Sequence, residues 1–404
     1  MASHLFRFAQ HGAAAAMLVA LAACSGPLRP SQGSPDSFHN QLLVLDSHLD
    51  TPVHFGRPGW NIADRHGFVD DLSQVDLPRM VDGGLDGGFF VIFTPQGPLT
   101  PDAYTKAHMF ALRRAGEIRQ VVQRHPGALA LVTTPAEARQ AAADGRRVVF
   151  QSIENSYPLG TSTAALEDFY DRGVRMASPV HSRNNQFADS TTDTPQWHGL
   201  SPLGREWVAE MNRLGMLIDA SHASDEAFDQ MLALSRAPII LSHSGPRAVF
   251  DHPRNIDDAR LTALAAKGGV VQINSVFLAP TNQSPAWRAL LDERDKLHEM
   301  TPQEQKALAR RTAAEESRDP YITATFELFM ASLLHTLKLV GPDHVGIGAD
   351  WDGGGGVRGM EDVAALPRIT DRLKAAGYSD ADIAKIWSGN LLRVVQAAQD
   401  AADR

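Results

Sequence analysis

Six short apolar runs in this 404-residue sequence finish on a histidine or a carboxylate. VLDSHLDTP (44–52) closes its run with His48 and Asp50, two positions apart, and RRVVFQSIE (146–154) ends on Glu154. VRMASPVH (174–181) ends on His181, GMLIDASH (215–222) on His222, APIILSH (237–243) on His243 and HVGIGAD (344–350) on Asp350. Taken singly, each is weak. H-x-D arises by chance, a strand-end histidine is commonly a hydrogen-bonded structural residue, and Glu154 reads as a surface carboxylate. Gathered at one place, four imidazoles and three carboxylates would be costly to desolvate without positive charge among them. Imidazole and carboxylate donors suit zinc and similar first-row ions. The set is too large for one tetrahedral ion, which points to two.

Only a sheet whose strands all finish on the same side could gather these residues. Two further runs, GGFFVIF (87–93) and GGVVQINS (268–275), complete a set of eight. The runs are continuous rather than alternating, as expected of parallel strands covered on both faces. Helix-period segments lie between most of them: 101–126, 201–215 with Ser-Pro at its start and Gly at its end, and 224–235 with a serine cap. The pattern predicts an α/β fold, a (β/α)8 TIM-type barrel with its active site at the carboxyl ends of the strands. A doubly wound open sheet is the rival architecture. Residues 281–320 are polar and charged and fall between the seventh and eighth runs. A structureless loop of that length is unusual in a compact domain, so they read as a helical insertion, either a solvated face or a lid.

With 43% hydrophobic residues the chain can bury a large core, as one big domain or two ordinary ones. Its net charge of −9 argues against a nucleic-acid partner. The segment AAAAMLVALAAC is too short to span a bilayer and reads as a signal-peptide core. Leu21-Ala22-Ala23-Cys24 resembles a bacterial lipobox, and Cys24 is the sole cysteine, which favours a lipid attachment point over a core thiol. No intrachain disulfide is then available. Residues 25–37 read as a flexible Pro/Gly/Ser tether. The expected organisation is a lipoprotein signal peptide (1–23), a lipidated cysteine with its tether (24–40) and a metal-dependent domain (41–404). The expected location is the periplasmic side of a bacterial envelope membrane.

The order of the motifs is also recognisable. DSHLDTP, SIENSYPLG, SPVHSRNNQFADS, LGMLIDASHAS, PIILSHSGPRAVFDHPRN and HVGIGADWDGG run from residue 44 to about 356. In that order they resemble the membrane (renal-type) dipeptidase family, binuclear zinc metallopeptidases of the amidohydrolase superfamily. The resemblance implies that His48 and Asp50 bind one zinc, that His222 and His243 bind a second, and that Glu154 bridges both. It also implies that His181 contacts the substrate carbonyl, that Arg254 in HPRN grips the substrate carboxylate, and that Asp350 is the acid–base group. It leaves room for a homodimer. Ser47 and Leu49 replace the family's usual Gly and Asn, Asn155 follows Glu154 where Gly is usual, and INSVFL (273–278) lacks a tyrosine. The last departure falls at a position that bears on side-chain specificity.

On this reading two zincs about 3.5–4 Å apart would hold a bridging hydroxide that attacks a dipeptide's peptide bond. His181 would stabilise the oxyanion, and Asp350 would carry the proton to the leaving amine. Arg254 could instead form an ion pair with Asp251, Asp257 or Asp258. Gly353–Gly356 lack the Lys-Ser/Thr of a phosphate loop and read as a flexible turn, while Asp352 could orient a histidine. His344 falls at the wrong end of the barrel, and no G-x-S-x-G motif is present. Two rivals stay open: another binuclear amidohydrolase acting on N-acyl amino acids, lactones or phosphotriesters, and a non-catalytic solute-binding lipoprotein.

Overall fold

The computed structural model describes residues 37–403 apart from 295 and 322. The expected signal peptide, Cys24 and most of the tether lie outside the described residues. Packing begins at Phe38, inside the segment 24–40. Phe38–Gln41 forms a 3-10 turn, and His39 is buried, with Nδ1 2.7 Å from Thr370 Oγ1 and Nε2 2.9 Å from the Gly83 carbonyl. Among the described residues no helix is long and apolar enough to cross a membrane.

The fold is α/β, built on a curled parallel sheet. Its strands are β1 (Leu45–Leu49), β2 (Gly87–Phe93), β3 (Leu129–Leu131), β4 (Arg147–Glu154), β5 (Val174–Ala177), β6 (Leu217–Ile218), β7 (Ile240–Ser244), β8 (Val270–Ile273) and β9 (Val345–Ile347). Every ladder is parallel. One sheet runs β1-β2-β4-β5-β6, with β3 paired to β4 off that path, and another runs β7-β8-β9. Single bridges, Asp219 to Ile240 and Leu49 to Trp351, link the facing edges. All eight expected runs contain a strand. β3 is an addition, and β6 is shorter than its run, continuing only as the bridge at Asp219. The Asp219 carboxylate itself accepts the backbone N–H groups of Ser221 and Ser242, taking acceptor duty that a ladder carbonyl would otherwise fill.

The expected helices form where their caps predict. Pro202–Leu214 starts at Ser201, whose side chain accepts from the Gly204 N–H, and stops at Gly215 in the left-handed region. Asp225–Leu234 is capped by Ser224. Leu45, Phe89, Phe150, Leu217, Ile240 and Val270, in the amino-terminal halves of their strands, form an apolar layer with Met176. The C-terminal helix Asn390–Asp400 packs against it through Leu391, Leu392, Val394 and Val395. With that end closed by apolar side chains, the polar residues collect at the opposite, carboxyl ends.

Between β8 and β9, Pro285–Arg294 and Pro302–Arg318 are helical. They are fastened to the body of the protein. Leu297, Leu308 and Ala309 pack with Leu72, and the buried Gln305 Oε1 accepts from Arg57 Nε and Nη2 at 3.2 and 2.9 Å. Arg294 also donates to the Asp352 carbonyl.

Candidate active site

Glu154, the last residue of β4, is the hub. Its Oε1 lies 3.0 Å from His222 Nε2, 3.4 Å from His243 Nε2 and 3.8 Å from His181 Nε2, and its Oε2 lies 3.6 Å from His48 Nε2. His48 Nε2 is in turn 3.4 Å from Asp50 Oδ2. Asp350 joins His48 and Asp50 in one cluster of facing ligand atoms; His48 with Glu154 and His243 forms a second, and Glu154 with His181 and His222 a third. The expected residues are thus gathered at one rim, supplied by β1, β4 and β7 and by the segments that follow β5, β6 and β9. All are buried except His181, whose side chain is 30% exposed.

Backbone geometry helps to aim them. Asn155, His222, Asp350 and Asp352 all have φ between 66° and 72°, a left-handed conformation uncommon outside glycine and best tolerated by Asn and Asp. Asn can therefore stand after Glu154 where the resembled family has Gly. The glycine run forms a turn, as its composition suggests, with Gly354 and Gly356 at φ of 153° and 94°, but Gly353 and Gly355 also stand against close neighbours. A Cβ on Gly353 would lie 2.0 Å from Asp50 Oδ2 and 2.2 Å from Asp350 Oδ1, and one on Gly355 would lie 2.1 Å from the Ala349 carbonyl. Both glycines are present because carboxylates and backbone crowd against them.

The electrostatics of this rim are in conflict. Burial pulls the His48 imidazole down, but Glu154 and Asp50 outweigh it and hold it well above the ordinary histidine value. Burial, with His48 and His181 adding to it respectively, drives His243 and His222 well below that value; Arg254 pushes both the same way. Burial raises Asp350, with Asp50 and Glu154 reinforcing the rise, so that it sits well above the carboxylate range despite His48. Buried His48 Nε2, Asp50 Oδ1 and His222 Nδ1 have no hydrogen-bond partner, and His222 Nε2 faces His243 Nε2 at 2.9 Å. Imidazole nitrogens and carboxylate oxygens turned toward one another are donors suited to a divalent cation. The residues fit a metal.

Arg254 is buried, and burial lowers its guanidinium to about 10, which leaves it charged at neutral pH. Nη2 donates to the His243 carbonyl at 3.3 Å, Nε is unpartnered, and the Phe277 ring lies 5.3 Å away. Two of the three aspartates considered as ion-pair partners from sequence have other roles: Asp257 pairs with Arg260 and Asp258 with His335.

Sequence reasoning missed Asp46 and His54 here. Asp46 is buried, accepts the N–H groups of His48 and Ala349, and is pushed up by burial to about 7. His54 is the histidine that Asp352 faces, with Nε2 3.1 Å from Oδ1 and Arg57 donating to its Nδ1. The only signal for either was proximity to H-x-D.

The sequence model of the family described as membrane dipeptidase (peptidase family M19) matches residues 35–404. Dipeptidase tcpJ of Claviceps purpurea (strain 20.1) is 28% identical over 386 residues, spanning 94% of this chain and 79% of that protein. The crystal structure of the probable dipeptidase PvdM from Pseudomonas aeruginosa is 33% identical, with a TM-score of 0.76 over 90% of this chain and 97% of that one. A metallo peptidase from Rhodobacter sphaeroides, liganded with a phosphinate mimic of the dipeptide L-Ala-D-Ala, is 27% identical. Its TM-score is 0.70 over 88% of this chain and 99% of that one. Together with the buried cluster around Glu154, these matches make the chain a peptidase that belongs to the membrane dipeptidase family.

Proposed function

We propose that this protein hydrolyses the peptide bond of dipeptides with two zinc ions as cofactor. His48 and Asp50 would hold one ion, His222 and His243 the other, and Glu154 would bridge them. The overlap of two ligand clusters at Glu154 supports the bridge. The closed (β/α)8 form of the barrel, with residues 281–320 as an insertion, belongs to the same proposal. It is supported by the two bridges that link the sheet edges.

Bound zinc supplies Lewis-acid polarisation of the substrate carbonyl and makes water a nucleophile at neutral pH. The chain's own residues do the rest. His181, the one partly exposed imidazole of the set, donates to the carbonyl oxygen as it gains charge. Asp350 takes the proton of the attacking water on a carboxylate oxygen and returns it to the leaving nitrogen. Arg254 holds the substrate's terminal carboxylate through parallel N–H donors.

The buried guanidinium of Arg254 is the observation that carries the choice of substrate. Among the described residues no carboxylate lies within ion-pair distance of it, and a buried, unpaired charge is costly. A ligand carboxylate would supply the missing partner. The dipeptide mimic held by the Rhodobacter sphaeroides relative supports the same class of substrate here. The deciding measurement compares kcat/KM for a dipeptide, its C-terminal amide and an N-acetyl amino acid on the zinc-loaded protein. Preference for the free dipeptide over both supports the proposal. Preference for the N-acetyl amino acid turns it toward another amidohydrolase reaction. Attachment through a lipidated Cys24, with the domain on the periplasmic side of an envelope membrane, remains part of the proposal on the strength of the lipobox alone.

A further inference from the structure

One buried hydroxyl touches imidazoles on two different strands. Ser242 Oγ, fully buried within β7, lies 2.6 Å from Asp219 Oδ2, 2.8 Å from His243 Nδ1, and 3.4 Å from both His48 Nδ1 and Ser221 Oγ. The other Asp219 oxygen is occupied by the N–H groups of Ser221 and Ser242, which fixes the orientation of the carboxylate.

A serine hydroxyl has one hydrogen to give and two lone pairs to receive with. An ionised carboxylate can only accept, so the short contact at 2.6 Å takes the hydrogen of Ser242. The nearest remaining neighbour, His243 Nδ1 at 2.8 Å, faces one lone pair and must carry a hydrogen to be satisfied; Ser221 Oγ and His48 Nδ1, both at 3.4 Å, compete for the other. His243 is set with Nδ1–H toward Ser242 and an Nε2 lone pair toward Glu154. That is the form a metal ligand needs, because the hydrogen bond made by one ring nitrogen fixes what the other can do. His222 lacks such support, since its Nδ1 has no partner.

We propose that Ser242, polarised by Asp219, is a positioning residue that fixes the ring tautomer of His243 and so prepares that imidazole as a metal ligand. The purpose of the relay rests on the zinc reading above, but its geometry does not.

The test uses Asp219→Asn and Ser242→Ala in the full chain. Asparagine keeps the shape of Asp219, and with its oxygen held by the two backbone N–H groups its amide faces Ser242 and donates. The hydroxyl hydrogen is then sent toward His243 Nδ1, reversing the polarity without removing a bond. Nitrogen-15 spectra of the metal-free protein should show His243 protonated on Nδ1 in wild type and on Nε2 in Asp219→Asn. Zinc affinity, from competition with a chelator, should fall roughly 10- to 100-fold in both variants. A wild-type His243 protonated on Nε2 overturns the proposal without any variant. So does an Asp219→Asn protein with unchanged tautomer and unchanged zinc affinity. A wild type that binds no zinc, yet shows the expected tautomer and its reversal, sustains the relay and sinks the metal reading instead.

Discussion

The Nε2 atoms of His222 and His243 face each other across 2.9 Å, with Glu154 Oε1 3.0 Å from the first and 3.4 Å from the second. Two neutral imidazoles at that distance can share only one proton between them, whereas a cation among all three groups satisfies each lone pair. Purified protein is therefore expected to contain about two zinc ions per chain, as two-metal hydrolases do. Exhaustive chelation should abolish hydrolysis until metal returns. Glu154→Gln should lower occupancy of both positions together, measured by elemental analysis. A metal-free preparation with full activity would refute this.

The packing at Gly353 gives a second expectation. Any side chain there would displace Asp50 Oδ2 and Asp350 Oδ1 from positions 2.0 and 2.2 Å from its Cβ. Displacing a reacting group by about 1 Å can cost on the order of a hundredfold in rate. Gly353→Ala should fold, since φ at this position is not in the left-handed region, yet should lose kcat on roughly that scale. A variant with wild-type kcat would show that the carboxylates have room to move.

How much of this could be read from the sequence depended on whether a residue's role was local. The strand-end positions of Glu154, His222 and His243 were legible because continuous apolar runs point to a parallel sheet, and a parallel sheet brings its carboxyl ends to one side. β3 was not legible, since three residues offer no period, and its pairing with β4 lies off the main path. The turn at Gly353–Gly356 was legible, but composition cannot distinguish a glycine that needs freedom, such as Gly356, from one that must leave room, such as Gly353. Ser242 and Asp219 escaped notice for a different reason. They lie on neighbouring strands 23 residues apart, and only the curl of the sheet places His48 within reach of the same hydroxyl.

Away from the active site, His66 and Asp71 form a partly buried pair with Nδ1 to Oδ2 at 2.5 Å. Burial opposes the charge on Asp71, but His66 and Ser73 outweigh it and lower the carboxyl from 3.8 to about 2. Burial likewise opposes the charge on His66, yet Asp71 and the Asn61 carbonyl raise it above 6.5. A lowered carboxylate contributes stability that is present above about 3.8 and lost as pH falls toward 2. A raised histidine contributes stability that is complete below about 6.5 and lost as pH climbs through its folded value. The melting-temperature difference between wild type and Asp71→Asn should therefore be widest between about pH 4 and 6.5 and narrow on both sides. A gap that stays constant with pH would mean that packing, not charge, holds the pair.

The anchor can be tested separately. Cys24 is the sole cysteine and stands in Leu-Ala-Ala-Cys, so Cys24→Ala should leave a soluble or misprocessed protein whose catalytic domain is intact. Each buried methylene of a lipid adds about 0.8 kcal/mol of membrane affinity, so its loss should be plain in membrane fractionation. Identical fractionation and an identical modified mass in wild type and variant would exclude the lipobox.

Arg254 provides the sharpest test of substrate length. Its guanidinium donates to the backbone carbonyl of His243, so a carboxylate bound to it lies beside the residues proposed to hold metal. A dipeptide cut at its only peptide bond brings its carboxylate to that point, whereas a tripeptide cut at its first bond brings an amide. Opposing a buried guanidinium with an amide forfeits a charge-assisted hydrogen bond, worth roughly 1.5–3 kcal/mol, or about one to two decades in kcat/KM. Arg254→Lys keeps the charge but loses the planar fork and should impair dipeptides clearly. Arg254→Ala should impair them more and should shrink the difference between a dipeptide and its amide, because the group that distinguishes them is gone. The measurement is kcat/KM for a dipeptide, its amide and the corresponding tripeptide in wild type and both variants. If wild type turns over acid and amide equally, Arg254 is structural and the enzyme's specificity is set elsewhere in the pocket.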